Sequence, residues 1–256
     1  MLPTPQQMEE LFRQKYGDPA TTGPAPRRRY RFGHYSPADY YEATVRQAVT
    51  QGIVWLDVGG GHAIFPENPR LSKELVTRAQ HVTALDPSEN VLKNELVHEK
   101  VQSLLEDYQP EKQFNLATMR MVVEHVSTPD AFVKNLARLL KPEGIAVVFT
   151  VNKWSPLTLL SRVIPFRLHH PIKKMFWGGE EEDTFPVQYR MNTRHQLKKL
   201  FEMNGFQEIA FNKLDDLSVF SKFRMMNYLE LLFWRCFRLV CLRYPENCLL
   251  GIYQRV

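Results

Sequence analysis

Leu56-Asp57-Val58-Gly59-Gly60-Gly61-His62-Ala63 is the stretch that decides the fold. It closes an apolar run, residues 53–58, that reads as a β-strand. The glycines behind it permit a sharp turn and a close backbone approach to a ligand. A diphosphate-binding loop of the G-x-G-x-x-G kind needs a third glycine where this chain has Ile64, so that pattern fails. The turn instead suits a nucleoside cofactor without phosphates, and Asp57 suits a cationic amino group, met directly or through water.

The next apolar run, residues 81–86, ends in Leu85-Asp86-Pro87-Ser88. In a nucleoside-binding α/β fold an acid at this point accepts both ribose hydroxyls. The same carboxylate also suits the N-cap of a helix beginning at Pro87, and the two roles are compatible.

Outward from this pair the chain alternates strand and helix. Strands are predicted over 53–58, 81–86, 101–105, 114–119 and 145–151, and helices over 69–79 and 87–96. Thr128-Pro129 caps a further helix with Phe132, Val133, Leu136, Leu139 and Leu140 on its apolar face, stopped by Lys141-Pro142-Glu143-Gly144. This βαβ rhythm predicts a mostly parallel sheet with helices on both faces. Upstream, Thr4-Pro5 and Ser36-Pro37 each read as an N-cap with proline in the first turn, and residues 18–29 read as a loop. Asn192-Thr193 caps a helix to Asn204-Gly205, followed by strand 206–212, a long helix near 222–242 and a strand near 247–254. That ending predicts a β-hairpin at the sheet edge. The division is an N-terminal helical lid segment (1–50), a Rossmann-like core (51–152), an inserted cap (153–191) and the C-terminal part of the core (192–256).

The composition fits a globular chain. Of 256 residues, 44% are hydrophobic and 24% charged, and no window holds the roughly 18 uncharged apolar residues of a spanning helix. The N-terminus lacks a signal-peptide pattern, and three cysteines without a CxxC indicate neither a disulfide framework nor a zinc site. A reduced cytoplasmic enzyme is expected. The net charge of +5 is compatible with an acidic partner or with a mildly basic enzyme.

The segments WLDVGGGHA (55–63), TALDPS (83–88), LEDYQPEKQFNLATMRMVVEHV (105–126) and LLKPEGIAVVFTVN (139–152) resemble the class I S-adenosylmethionine-dependent methyltransferases. More narrowly they are similar to a bacterial small-molecule branch reading LDVGCG, DPS, FD-x-x-x-x-x-x-x-LEHV and LKPGG. Residues 184–193 are similar to a DxFPxxYRxNT segment of some such enzymes, including ones encoded near glycan or natural-product genes. The resemblance implies an α/β fold with a Rossmann-like, seven-stranded, mostly parallel sheet. The implied cofactor is S-adenosyl-L-methionine, with S-adenosyl-L-homocysteine as product. It assigns Asp57, Gly59, Gly60, Gly61, Asp86 and Pro87 to the methionine and ribose parts. Leu105 packs on the adenine, Glu106 and Asp107 meet it, and Arg120 and Met121 border the methyl-sulfonium. Glu124 and His125 are the candidates for chemistry. His125 suits a general base because imidazole titrates near neutral pH; the alternative is that the pair only supports the loop after the fourth strand. Ubiquinone-pathway O-methyltransferases carry a metal-binding Glu three residues before this pair. Here that residue is Met121, so no metal is expected.

The acceptor pocket is expected from two aromatic, basic segments. One holds Tyr30, His34, Tyr35 and Tyr40, which either close over the cofactor or pack on the sheet edge. The other is the insertion, with Trp154, His169 and Tyr189. Arg27-Arg28-Arg29 reads as solvated or as an anion contact. Helix 222–242 mixes aromatic, aliphatic and basic residues, which suits peripheral membrane contact, a buried helix or a homodimer interface. The function expected is methylation of a small-molecule acceptor, at oxygen, in a biosynthetic pathway of natural-product or glycan type. The alternatives are a lipid-linked or membrane-dissolved acceptor, such as a quinone or polyprenyl-sugar, and a non-catalytic binding protein on the same fold. With no appended RNA-binding module, no nucleic-acid partner is expected.

Overall fold

A computed structural model of the protein describes residues 2–163, 186–218, 220–242 and 244–256. His169 and most of the predicted cap lie outside the described residues. Seven strands form one sheet: β1 Val54–Val58, β2 His81–Asp86, β3 Glu99–Gln102, β4 Phe114–Arg120, β5 Leu140–Val151, β6 Phe206–Leu214 and β7 Cys248–Arg255. Their order is β3-β2-β1-β4-β5-β7-β6. The first five pair in parallel, and β7 runs antiparallel between β5 and β6. The predicted terminal hairpin is this β6–β7 pair. The sheet order reverses beside β1, between the crossovers to β2 and to β4, and a crevice at such a point is where open α/β sheets bind ligands.

The alternation of side chains along each strand divides the core into two layers. Trp55, Val82, Leu116, Val147 and Phe149 face one layer, closed by α1 (Pro5–Tyr16), α3 (Pro37–Ala48) and α4 (Pro69–Arg78). Leu56, Val58, Leu85, Ala146 and Val148 face the other, closed by α5 (Pro129–Leu139) and α7 (Arg194–Met203). The helix starts follow the expected chemistry. Thr4 and Ser36 each make a capping box, with Gln7 and Asp39 at the third position, and proline follows each cap. Lys15 of α1 is buried against Asp39 at 3.2 Å and Glu42 at 2.7 Å, which fixes α1 on α3.

Several boundaries differ from the sequence reading; the third strand, expected over 101–105, spans Glu99–Gln102. Residues 18–29 are not all loop: α2 (Pro24–Arg31) occupies the second half. Its arginines are helix formers behind a proline at the first turn, and they are engaged. Arg28 Nε donates to Asn227 Oδ1 at 3.0 Å and Arg29 to the Tyr16 hydroxyl at 3.2 Å. Residues 87–96 form only a short 3₁₀ turn, Glu89–Lys93, capped by Ser88. Asp86 is not its N-cap; its carboxylate accepts the Gly61 and Ser88 amides ahead of the turn. The fifth strand begins at Leu140 rather than at residue 145, and the pairing with β4 shifts register between Phe114 and Leu116. Among the described residues the remaining helices are α6 (Pro156–Val163) and α8 (Arg224–Leu239).

Candidate active site

A cleft of about 810 Å³ opens along the carboxyl ends of β1, β2 and β4, within the size range of small-molecule and cofactor sites. Asp57, Gly59, Gly60, Gly61, Asp86, Pro87, Leu105, Glu106, Asp107, Arg120 and Met121 all line it, as does His125. The structure thus brings together every cofactor residue expected from the sequence.

The glycine turn is shaped by its neighbours. Gly59 has φ +72°, and a Cβ there would lie 2.3 Å from Val122 Cγ2. A Cβ on Gly60 would lie 2.9 Å from Ala84 Cβ. Gly61 then donates its N–H to Asp86 Oδ2 at 3.1 Å, and Ser88 N–H bonds Asp86 Oδ1 at 2.8 Å. Two backbone amides thus hold the Asp86 carboxylate at the end of β2, and its further lone pairs suit ribose hydroxyls. Asp57 sits beneath the turn. Thr118 Oγ1 donates to its Oδ1 at 2.6 Å, and Trp55 Nε1 donates to the same threonine oxygen at 2.8 Å. Burial pushes the Asp57 carboxyl up to about 7, against the Thr118 hydrogen bond and the charge of Arg120.

Around the adenine end, Leu105 is buried and Leu104 is 51% exposed, and both line the cleft. Glu106 is fixed by the Thr128 hydroxyl at 2.9 Å, and Asp107 is exposed on the rim. Met121 closes β4 with φ +54°, a conformation that costs a non-glycine residue on the order of 1–3 kcal/mol and clusters at functional sites.

Glu124 and His125 separate in role. Glu124 is buried and does not line the cleft. Its carboxylate accepts from Thr150 Oγ1 at 2.8 Å, and its backbone carbonyl accepts Gln188 N–H at 2.7 Å and Tyr189 N–H at 3.2 Å. Asn192 Nδ2 extends this brace to Thr150 Oγ1 at 2.8 Å. Burial raises the Glu124 carboxyl. His125 is half-buried in the cleft wall, with Nδ1 3.0 Å from the Pro186 carbonyl. A carbonyl only accepts, so Nδ1 carries the proton and the lone pair of the neutral ring lies on Nε2.

The expected acceptor residues do not gather here. Tyr30 and Tyr35 donate to Glu9 of α1, at 2.9 and 3.3 Å. His34 is buried beside Trp234, bonds the Asp215 carbonyl at 3.1 Å, and is pushed down to about 4 by that burial. With Tyr35 and Tyr40 it lines a separate cavity of about 300 Å³ between α3 and α8. Tyr35 and Tyr40 pack against the core layer beneath α1 and α3. Trp154 is 62% exposed, and Tyr189 holds the loop through its backbone. The insertion does reach the cleft, through Pro186 and Gln188. Neither is a site residue in the sequence reading, although both lie within the 184–193 stretch that resembles the DxFPxxYRxNT segment.

With this geometry in hand, the comparisons with known proteins are consistent. The sequence profile of a family described as a methyltransferase domain matches residues 28–210. Curated relatives include the ubiquinone biosynthesis O-methyltransferases of Caulobacter vibrioides, 30% identical over 46% of this chain and 48% of the relative, and of Maricaulis maris, 31% identical over 44% and 46%. The chain spans about half the length of these relatives. Among solved structures, magnesium protoporphyrin IX methyltransferase from Synechocystis PCC 6803 with bound SAH superposes over 97% of this chain and 94% of that one, with a TM-score of 0.51 and 13% identity. That likeness supports the fold. The chain belongs to the class I S-adenosylmethionine-dependent methyltransferase family.

The residues present fit the family's cofactor. Gly59 and Gly60 leave no room for a Cβ, a buried acid lies near the end of β1, an amide-held acid ends β2, and Leu104 and Leu105 offer an apolar wall. Bound there, S-adenosylmethionine supplies a methyl group on a sulfonium, an electrophile that needs no metal.

Proposed function

We propose that the chain is an O-methyltransferase acting on a small molecule with a phenol- or quinol-type hydroxyl. The observation that carries this is His125: it lies in the wall of the cofactor cleft, with Nδ1 anchored on the Pro186 carbonyl at 3.0 Å. A ring fixed in that tautomer presents Nε2 as a proton acceptor. A phenol with a pKa near 10 loses its proton to such a base with modest help. An aliphatic sugar hydroxyl demands much more, so the phenol class is favoured.

Each group has a defined task. Asp86 and the Gly61 amide position the nucleoside, and Asp57 meets the amino group. Leu104 and Leu105 pack on the base. His125 Nε2 takes the acceptor proton as the oxygen–methyl bond forms, and Glu124 positions the loop that carries the histidine. Orientation of the two reactants supplies much of the acceleration. The names of the two curated relatives support oxygen as the methylated atom and a quinone-type acceptor.

The test is transfer of labelled methyl from S-adenosylmethionine to a panel of catechols, hydroxybenzoates, sugars and amines. Label in the catechols or hydroxybenzoates, and none in their methyl ethers, is the expected result. Transfer to amines alone, or to no member of the panel under conditions where the cofactor binds, contradicts it.

A further inference from the structure

Helix α8 is apolar on both sides. Its inner face, Leu231 and Trp234, packs with Leu217 and Tyr244. Its outer face carries Met225, Met226, Leu229, Leu232, Phe233 and Phe237, all exposed, Met225 by 79% and Phe233 by 60%. At 100° per residue these six fall on one arc of the helix, and no charged residue interrupts it. Arg235 and Arg224 lie beyond one border of the arc, and the single acid of the helix, Glu230, lies beside Phe237 at the other, where Asn227 Nδ2 bonds it at 3.4 Å. A contiguous apolar face of this size on a basic protein marks an interaction surface.

Its place in the fold is specific. Leu214 at the end of β6 and Cys248 at the start of β7 are paired, and Cys248 is paired with Val151 at the end of β5. The connection that holds α8 therefore leaves and re-enters the sheet at the edge where β1, β4 and β5 end, which is the edge on which the cofactor cleft opens.

We propose that the outer face of α8 docks on an anionic lipid surface and sets the cleft edge beside the membrane. Charge complementarity selects this occupant. The helix carries three arginines, Arg224, Arg235 and Arg238, against one carboxylate, and an antiparallel two-fold pairing of copies through the arc would set the arginine borders of both chains side by side. Against anionic headgroups the same arginines are favourable, and an apolar face on a helix of net positive charge is the pattern of a helix lying in the interface. The docking itself stands without the O-methyltransferase reading; its use, to collect a membrane-dissolved acceptor, rests on that reading.

The experiment is flotation of the full chain with vesicles of phosphatidylcholine alone and of phosphatidylcholine mixed with phosphatidylglycerol. The protein is expected to float with the mixed vesicles and to partition at least about tenfold less onto phosphatidylcholine alone. Leu229→Glu with Phe233→Glu abolishes flotation, and Arg224→Glu with Arg235→Glu, which spares the apolar arc, removes the preference for anionic lipid. Both variants keep wild-type cofactor affinity by calorimetry, which shows folding and separates this test from the methyl-transfer reading. Wild-type protein that stays in the aqueous phase with both vesicle types overturns the proposal. So does flotation unchanged by the Leu229/Phe233 substitutions, or a wild-type dimer that those substitutions split in the absence of vesicle binding.

Discussion

Asp86 Oδ2 receives the Gly61 N–H at 3.1 Å, so the carboxylate that ends β2 is tied to the glycine turn that ends β1. The bond joins the two halves of the cofactor site. Asp86→Ala removes both this tie and the acceptor for the ribose hydroxyls. Hydrogen bonds to a charged partner contribute about 1.5–3 kcal/mol each, so affinity for S-adenosylhomocysteine should fall at least about tenfold in equilibrium dialysis. Unchanged affinity removes Asp86 from the site.

The glycine turn tests packing against backbone strain. Gly59→Ala meets Val122 Cγ2 at 2.3 Å and keeps a positive φ, whereas Gly52→Ala has φ +77° with nothing within 4 Å. Both pay the strain of a positive φ, on the order of 1 kcal/mol; only Gly59→Ala adds overpacking of about 1–3 kcal/mol. Chemical denaturation should rank Gly59→Ala clearly below Gly52→Ala, and equal losses contradict the clash.

The two members of the Glu-His pair should fail differently. His125→Ala is expected to lower kcat by about 10²–10⁴ while sparing cofactor binding. Glu124→Ala strips the Thr150 bond from a buried site and should lower the unfolding midpoint and loosen the 186–189 stretch. Turnover unchanged in His125→Ala removes it as the base.

Part of this site is legible in the sequence and part is not. Asp57, the glycines and Asp86 were legible because a strand that ends in a turn constrains residue type and spacing locally. The separation of Glu124 from His125 was not, because it depends on Thr150 and on the Gln188 and Tyr189 amides, far along the chain. The same holds for α2, whose arginines looked solvated until Asn227 and Tyr16 were placed beside them. His34 and Tyr35 looked suited to an acceptor pocket by residue type alone; their burial against Trp234 and their tie to Glu9 are tertiary facts.

Asp57 predicts a pH dependence. Its carboxyl rises from 3.8 to about 7 on burial, so the folded state binds that proton more tightly than the unfolded chain. Stability falls as pH rises between those values and the penalty is complete above about 7, on the order of a few kcal/mol. Asp57→Asn keeps an acceptor for Thr118 and lacks the ionisation. Melting curves should show wild type losing more than Asp57→Asn between pH 5 and pH 8, at about 2–4 °C per kcal/mol. Parallel curves contradict the assignment.

Lys15 is the neutralising group for two buried carboxylates, Asp39 and Glu42. Lys15→Met leaves both without their cation and should cost about 3–5 kcal/mol. Adding Asp39→Asn and Glu42→Gln should recover much of that loss. A single substitution within about 1 kcal/mol of wild type shows that the pair is not structurally important.

The cleft beside Asp57, Gly61 and Asp86 is proposed to bind S-adenosylmethionine. Calorimetric titration of the purified chain tests it most directly. Saturable one-to-one binding in the micromolar to submillimolar range common for enzyme ligands is the predicted result. No heat of binding up to about 1 mM, from a protein shown to be folded, would contradict it.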